Sequence, residues 1–341
     1  MKAERVRLVD RFPRLTAADL VARFHPPKRF EGVRFETYVP NPEHPSQAAA
    51  RADLERFAVE VVETERPPAR RWSWRRREAA EGLPGRYLDG GFGVGKTHLL
   101  ASLWHAAPEP KAYLTFAELA SAIGFLGMEA AVAAFRSNRL LCIDEFELDD
   151  VANTLMTVTF LRSVVPAGVR VASTSNALPD RLGEGRFHAA DFKREIAAIA
   201  SWFEVVRIDG PDYRATSRAE AEPFPPEALD RFDVDGTVSD DEFDALIAHL
   251  RRVHPAQFGA LLDGLDAVVI RRLHPIANQG DALLFVHLVD ELYDAQVTVA
   301  ASGCPVEELF PATYRHGGYR TKYGRCESRL LAMLAEARRV A

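Results

Sequence analysis

Eight consecutive residues, Gly90-Gly91-Phe92-Gly93-Val94-Gly95-Lys96-Thr97, satisfy the pattern GxxxxGK[ST] in full. Glycines at this density let backbone N–H groups turn inward around phosphate oxygens, and a helix opening directly after them adds its partial positive charge. In this pattern Lys96 reaches the β- and γ-phosphates and the Thr97 hydroxyl ligates Mg²⁺. ATP with Mg²⁺ is therefore the expected cofactor pair. Residues 90–97, together with His98, are the expected nucleotide contacts, although His98 also reads as plain helix surface. A chance glycine-rich turn is the rival reading. The short apolar run before the glycines and the helical pattern after them are the context a phosphate loop needs.

A second candidate is Leu140-Leu141-Cys142-Ile143-Asp144-Glu145, an apolar strand ending in two carboxylates. Asp144 would hold Mg²⁺, and Glu145 would orient or deprotonate an attacking water. Alone, the pair also fits a solvated turn or a helix cap; the upstream phosphate loop favours chemistry. A third candidate is Asn176, closing the run Val171-Ala172-Ser173-Thr174-Ser175. Its amide can donate to a phosphate oxygen and accept from water, whereas a loop-forming asparagine is the plain alternative.

These groups need a scaffold that brings three strand ends together. Short apolar runs at 87–89, 112–114, 139–143, 169–174 and 203–208 alternate with helical patterns at 97–105, 117–136, 150–164 and 191–200. That alternation predicts a parallel sheet with helices on both faces, with the phosphate loop and the carboxylate pair on strands that can lie side by side. Before this core, residues 33–39 alternate like a short strand, and Ser46 is placed to cap a helix running to Glu63. Beyond residue 214 the chain reads as mainly helical, broken by acidic loops, with helices at 281–294 and from about 325. The expected organisation is an N-terminal extension at 1–46, an ATPase core at 47–214 and a helical C-terminal lid at 215–341.

Composition narrows the classes. At ~150 residues per domain, 341 residues suggest about two domains. The formal net charge of −6 excludes a globally basic nucleic-acid binder. Three cysteines without a CxxC exclude a disulfide scaffold, and the histidines show no HExxH spacing. The sequence has no apolar stretch long enough to span a membrane and no apolar N-terminal leader, so a cytoplasmic protein is expected. Residues 231–242 match a calcium loop at several positions, but Arg231 stands where the first carboxylate ligand belongs, so they read as an acidic surface loop. The run 66–77, RPPARRWSWRRR, interleaves arginine with Trp72 and Trp74; nucleic-acid contact and packing onto the core are both open for it.

The phosphate loop, the carboxylate strand and the polar sensor resemble those of AAA+ ATPases. The wording IDEFELDDVANT, STSNALPDRL, FEVVRIDGPDYR and LVDELYD resembles more particularly the ZapE family of cell-division ATPases, related to the mitochondrial lactation-elevated-protein ATPases. The resemblance covers residues 29–329. It implies an α/β AAA+ core with a C-terminal lid, Mg²⁺-dependent ATP hydrolysis, homo-oligomers and remodelling of a protein partner. The FtsZ division ring is the partner implied, and a peripheral position at the inner face of the membrane goes with it. Carried over by position, Lys96 and Thr97 match the phosphate loop, Asp144 and Glu145 the carboxylate pair, and Asn176 the sensor.

An arginine acting on a neighbouring subunit's nucleotide is expected on the helix before the last core strand. Arg194 is the leading candidate and Arg186 the second, each also readable as a surface arginine. Two positions depart from the family pattern. Leu284 stands where members often carry a lid arginine, leaving Arg325 or Arg329 as substitutes, and Asp191-Phe192 stands where members have Arg-Phe. Two rival functions follow: a helicase-loader or initiator-like ATPase acting on DNA, and a nucleotide-gated binding module with little turnover.

Overall fold

The computed structural model describes residues 4–63, 85–91, 93–146, 151–176, 193–211, 222–232, 234–316 and 319–340. Its strands are β1 (Glu4–Val6), β2 (Gly85–Gly90), β3 (Lys111–Thr115), β4 (Leu140–Asp144), β5 (Arg170–Ser175), β6 (Phe203–Ile208), β7 (Thr237–Glu242), β8 (Ala267–Leu273) and β9 (Thr298–Gly303). The chain divides into two compact units. One comprises residues 16–26 and 30–215; the other comprises 1–15, 27–29 and 216–341.

The first unit is built on a parallel sheet in the order β3-β4-β5-β2-β6. Neighbouring residues Tyr87 and Leu88 on β2 are both fully buried, and alternate side chains of a strand face opposite ways, so both faces of the sheet are covered. On one face Leu88, Cys142, Ala172 and Ile208 pack with Leu54 and Phe57 of the helix Pro45–Glu63 and with Leu99, Leu100 and Leu103 of the helix Lys96–Ala106. On the other, Tyr87, Phe146, Phe203 and Phe116 meet edge to face or tilted. The expected α/β core is present, with one difference in order. The strand leading to the phosphate loop (β2) and the carboxylate strand (β4) are not neighbours, because β5 pairs with both. Parallel strands are joined by long crossovers, so the chain is free to skip a place in the sheet. Here it brings Asn176 between the other two candidates.

Residues 33–39 are not a strand. Phe35–Thr37 form a 3₁₀ turn in which the Tyr38 amide donates to the Phe35 carbonyl at 3.2 Å. Phe35 and Tyr38, three residues apart, bury together while Val39 is 85% exposed, which is a helical spacing rather than an alternating one. Ser46 is not a cap either. The helix begins at Pro45, and the Ser46 hydroxyl accepts the Asp209 amide at 2.9 Å.

The second unit has the expected long helices and adds a sheet that was not expected. It holds a four-stranded parallel sheet, β1-β7-β8-β9, covered by helices Phe243–Leu250, Gln279–Asp294 and Arg320–Val340. Part of the segment expected as an N-terminal extension contributes its edge strand, β1. The acidic stretch expected as a surface loop supplies β7. Its carboxylates are tolerated in the sheet because each is answered: Asp241 accepts the Leu8 and Val9 amides at 2.8 and 3.3 Å, and Asp240 pairs with Arg5 and Arg271.

Candidate functional site

The phosphate-loop candidate lies at the carboxyl end of β2 and opens the helix Lys96–Ala106. Two of its glycines are required sterically. A side chain at Gly90 would press against the Ile208 carbonyl at 2.2 Å. Gly95 has a φ of +91°, and a side chain there would meet the Tyr38 ring at 2.6 Å. Gly93 also has a positive φ, of 69°. Val94 is buried, and its carbonyl accepts the Tyr38 hydroxyl at 3.1 Å. Phe92 lies outside the described residues.

The Lys96 ammonium donates to the Gly90 carbonyl at 2.7 Å, the Gly91 carbonyl at 2.6 Å and the Asn176 side-chain oxygen at 2.9 Å. Two residues 80 positions apart in sequence thus converge over the loop. His98, expected among the nucleotide contacts, shares a hydrogen bond with the Thr37 hydroxyl at 2.9 Å and another with the Arg34 carbonyl at 3.3 Å. Burial lowers its pKa, and the Arg34 carbonyl opposes that shift. These bonds, and its edge contact with the Tyr38 ring, tie it to the 34–38 segment.

Asp144, the last residue of β4, is buried in a ring of hydroxyls. Its Oδ2 accepts from Tyr113 at 2.8 Å, and its Oδ1 accepts from Thr174 and, at 3.4 Å, from Thr97. Glu145 follows with a φ of 53°, a left-handed conformation that costs a non-glycine residue about 1 kcal/mol. Its amide donates to Asp144 Oδ1 at 3.1 Å and to the Thr174 hydroxyl at 3.0 Å. Thr97 and Asp144 together offer two hard oxygen donors. Mg²⁺ is held by one or two carboxylates with hydroxyl, water and phosphate oxygens, so this donor set fits it.

Arg194 is exposed on the helix Lys193–Ala200, which precedes β6 as expected. Arg186 and the pair Asp191-Phe192 lie outside the described residues, as do the 66–77 run and Asp233. In the second unit Leu284 packs against the core. The two substitute arginines there are engaged with Asp290, Arg325 at 2.8 Å and Arg329 at 2.6 Å. All three cysteines are free. Among the described residues no cluster of three His, Cys, Asp or Glu could hold a metal, and no helix is long and apolar enough to cross a membrane.

Sequence reasoning missed Tyr38, Tyr113, Thr174 and Asp89. Asp89 is the penultimate residue of β2, beside the loop. Burial raises its pKa, against the opposing pull of Arg207 and Lys96. A lone tyrosine or threonine in an apolar run carries no signal. The polar cluster Ser173-Thr174-Ser175 was a usable one, since three buried hydroxyls in a central strand must find work.

A glycine loop at a strand end, a lysine over it, a carboxylate pair two strands away and a polar residue at the end of the intervening strand define an α/β P-loop nucleotide-binding core. The chain belongs to the AFG1-like ATPase family, whose model matches residues 18–231 and 231–339. It is 25% identical to the cell division protein ZapE of Escherichia coli K12, over 85% of this chain and 91% of that one. Among solved structures it is similar to the DnaC helicase loader (17% identity, TM-score 0.38, 53% of this chain and 99% of that one). It is also similar to DnaI (19% identity, TM-score 0.42, 55% of this chain and 93% of that one).

Proposed function

We propose that this chain is a Mg²⁺-dependent ATPase that couples hydrolysis to remodelling of a protein partner during cell division. The observation that carries the ATPase reading is the convergence of Lys96, Asn176, Asp144 and Glu145 at the carboxyl ends of three adjacent strands, β2, β5 and β4. Lys96 would exchange its carbonyl partners for the β- and γ-phosphates. Thr97 and Asp144 would hold Mg²⁺, which neutralises phosphate charge when bound. Glu145 would orient the attacking water and take its proton as the water oxygen bonds to the γ-phosphorus and the bond to ADP breaks. The Asn176 amide would steady the same water or the γ-phosphate. The name of the Escherichia coli relative supports a protein partner in division. The resemblance to its family points to the FtsZ ring, a homo-oligomer, and a cytoplasmic position peripheral to the membrane.

Arg194 would complete the site of an adjacent copy. Exposed on the helix before β6, it would be available to a neighbour's γ-phosphate. Phosphate release by the purified chain should therefore require Mg²⁺, and its specific rate should rise with protein concentration. Arg194→Ala should lower the high-concentration rate by ~10²-fold or more while ATP affinity holds. Mixing Arg194→Ala with Glu145→Gln, one supplying an intact site and the other an intact arginine, should recover activity that neither has alone. No recovery, with co-assembly shown by light scattering, would remove Arg194 from this role. Release that is indifferent to EDTA would contradict the Mg²⁺ assignment. Turnover stimulated by DNA rather than by a protein would favour the loader-like alternative.

A further inference from the structure

Thr174 sits on the strand between the phosphate loop and the carboxylate pair, and its one side chain serves both the Asp144 carboxylate and the Glu145 backbone. It is buried, at 2% exposure, and its hydroxyl hydrogen goes to Asp144 Oδ1. The same oxygen accepts the Glu145 amide at 3.0 Å, and the Thr174 carbonyl accepts the Phe146 amide at 2.7 Å. These contacts bracket Glu145, whose left-handed backbone persists only where its surroundings over-determine it. The register makes this possible. Ile143 lies opposite Ser173 in the β4–β5 ladder, so the chain turns away at Asp144 directly beside Thr174. Asn176 follows directly after the strand end, and its contacts and those of Thr174 lie at the same site. Thr174 meets the Asp144 carboxylate and the Glu145 amide, and Asn176 meets Lys96.

We propose that Thr174 is a positioning residue. Its hydroxyl fixes the orientation of the Asp144 carboxylate and the backbone of Glu145, so that the metal-side group and the water-activating group are set by a single atom. This inference rests on the ATPase reading. Tyr113, donating to the other Asp144 oxygen at 2.8 Å, completes the hold on that carboxylate, whereas the Thr174 hydroxyl also accepts the Glu145 amide. The two residues therefore separate experimentally: removing the Thr174 hydroxyl disturbs both groups, and removing the Tyr113 hydroxyl disturbs one.

Thr174→Val keeps shape and branching and deletes the oxygen. Groups that orient ligands from behind are worth about 10- to 100-fold in metal affinity or activity. Turnover of Thr174→Val should fall by that factor, and the Mg²⁺ concentration for half-maximal rate should rise about tenfold. ATP affinity in EDTA should stay within about twofold, because the loop and Lys96 are untouched. Thr174→Ser, which keeps the hydroxyl, should remain within about threefold of wild type on every measure. Independently of activity, hydrogen exchange in the nucleotide-free valine variant should be faster over the peptide 140–146. Tyr113→Phe should raise the Mg²⁺ requirement while leaving that exchange unchanged. If the valine variant does not fold, Thr174→Cys, similar in size with a weak donor, takes its place. Wild-type turnover and Mg²⁺ dependence in the valine variant would overturn the inference, as would a serine variant as impaired as the valine one. Wild type and Glu145→Gln run alongside keep the two failures apart. An inactive wild type overturns the ATPase reading and this inference with it. An active wild type, a silent Glu145→Gln and an unaffected Thr174→Val overturn the inference alone.

Discussion

Asp144 in the first unit and Asp240 in the second both lie on a strand of a parallel sheet, but their partners differ in kind. Asp144 is answered by the hydroxyls of Tyr113, Thr174 and Thr97, and among the described residues no Lys or Arg ion pair reaches it. Asp240 is clamped by Arg5 and by two nitrogens of Arg271, at 2.6 and 2.8 Å. Asp290, on the helix Gln279–Asp294, is likewise held by Arg325 and Arg329. Hydroxyls orient a carboxylate and leave its charge available to an incoming cation. Guanidinium groups orient it and cancel the charge. The same residue type is thus kept for chemistry in one unit and spent on architecture in the other.

That contrast breaks most sharply at the loop cation. Lys96→Ala should abolish ATP turnover, by at least ~100-fold, with little change in thermal stability, because its partners are loop carbonyls and one amide. Near-normal turnover would remove the site from the loop. The mirror-image change is Asp290→Ala. It removes the carboxylate that two arginines share and should cost about 2 kcal/mol of stability, read as a lower urea midpoint, while ATP affinity holds within about twofold. Burial pushes the Asp290 carboxyl up, and Arg325 and Arg329 outweigh it, leaving its pKa below the usual range. A depressed carboxyl pKa contributes stability that is present above the unfolded value near ~4 and is lost as pH falls through the folded one. The stability gap between wild type and Asp290→Ala should therefore narrow on acidification. A gap that widens would reverse the assigned role of the pair.

The legibility of the two units in the sequence differed for the same reason. The phosphate loop and the apolar strand ending in Asp144-Glu145 announce themselves because their chemistry demands particular residues at particular spacing. The sheet of the second unit did not. The β7 segment, TVSDDE, looks like an acidic loop until Arg5, Arg271 and the Leu8 and Val9 amides are brought to it from 31 to 235 positions away. Pairing across such distances leaves no local periodicity to read. Thr174 and Tyr113 escaped for a related reason: a hydroxyl inside a strand gains meaning only from what the neighbouring strand places opposite it.

The central claim is that Lys96 binds the phosphates and Glu145 activates the water. Its most direct test is Glu145→Gln, followed by equilibrium ATP binding and phosphate release in the same preparation. The amide keeps the shape of the side chain and loses its basicity, so ATP affinity should stay within about twofold while phosphate release falls by ~10²-fold or more. Normal release from Glu145→Gln would show that Glu145 is only a turn residue and would contradict the account.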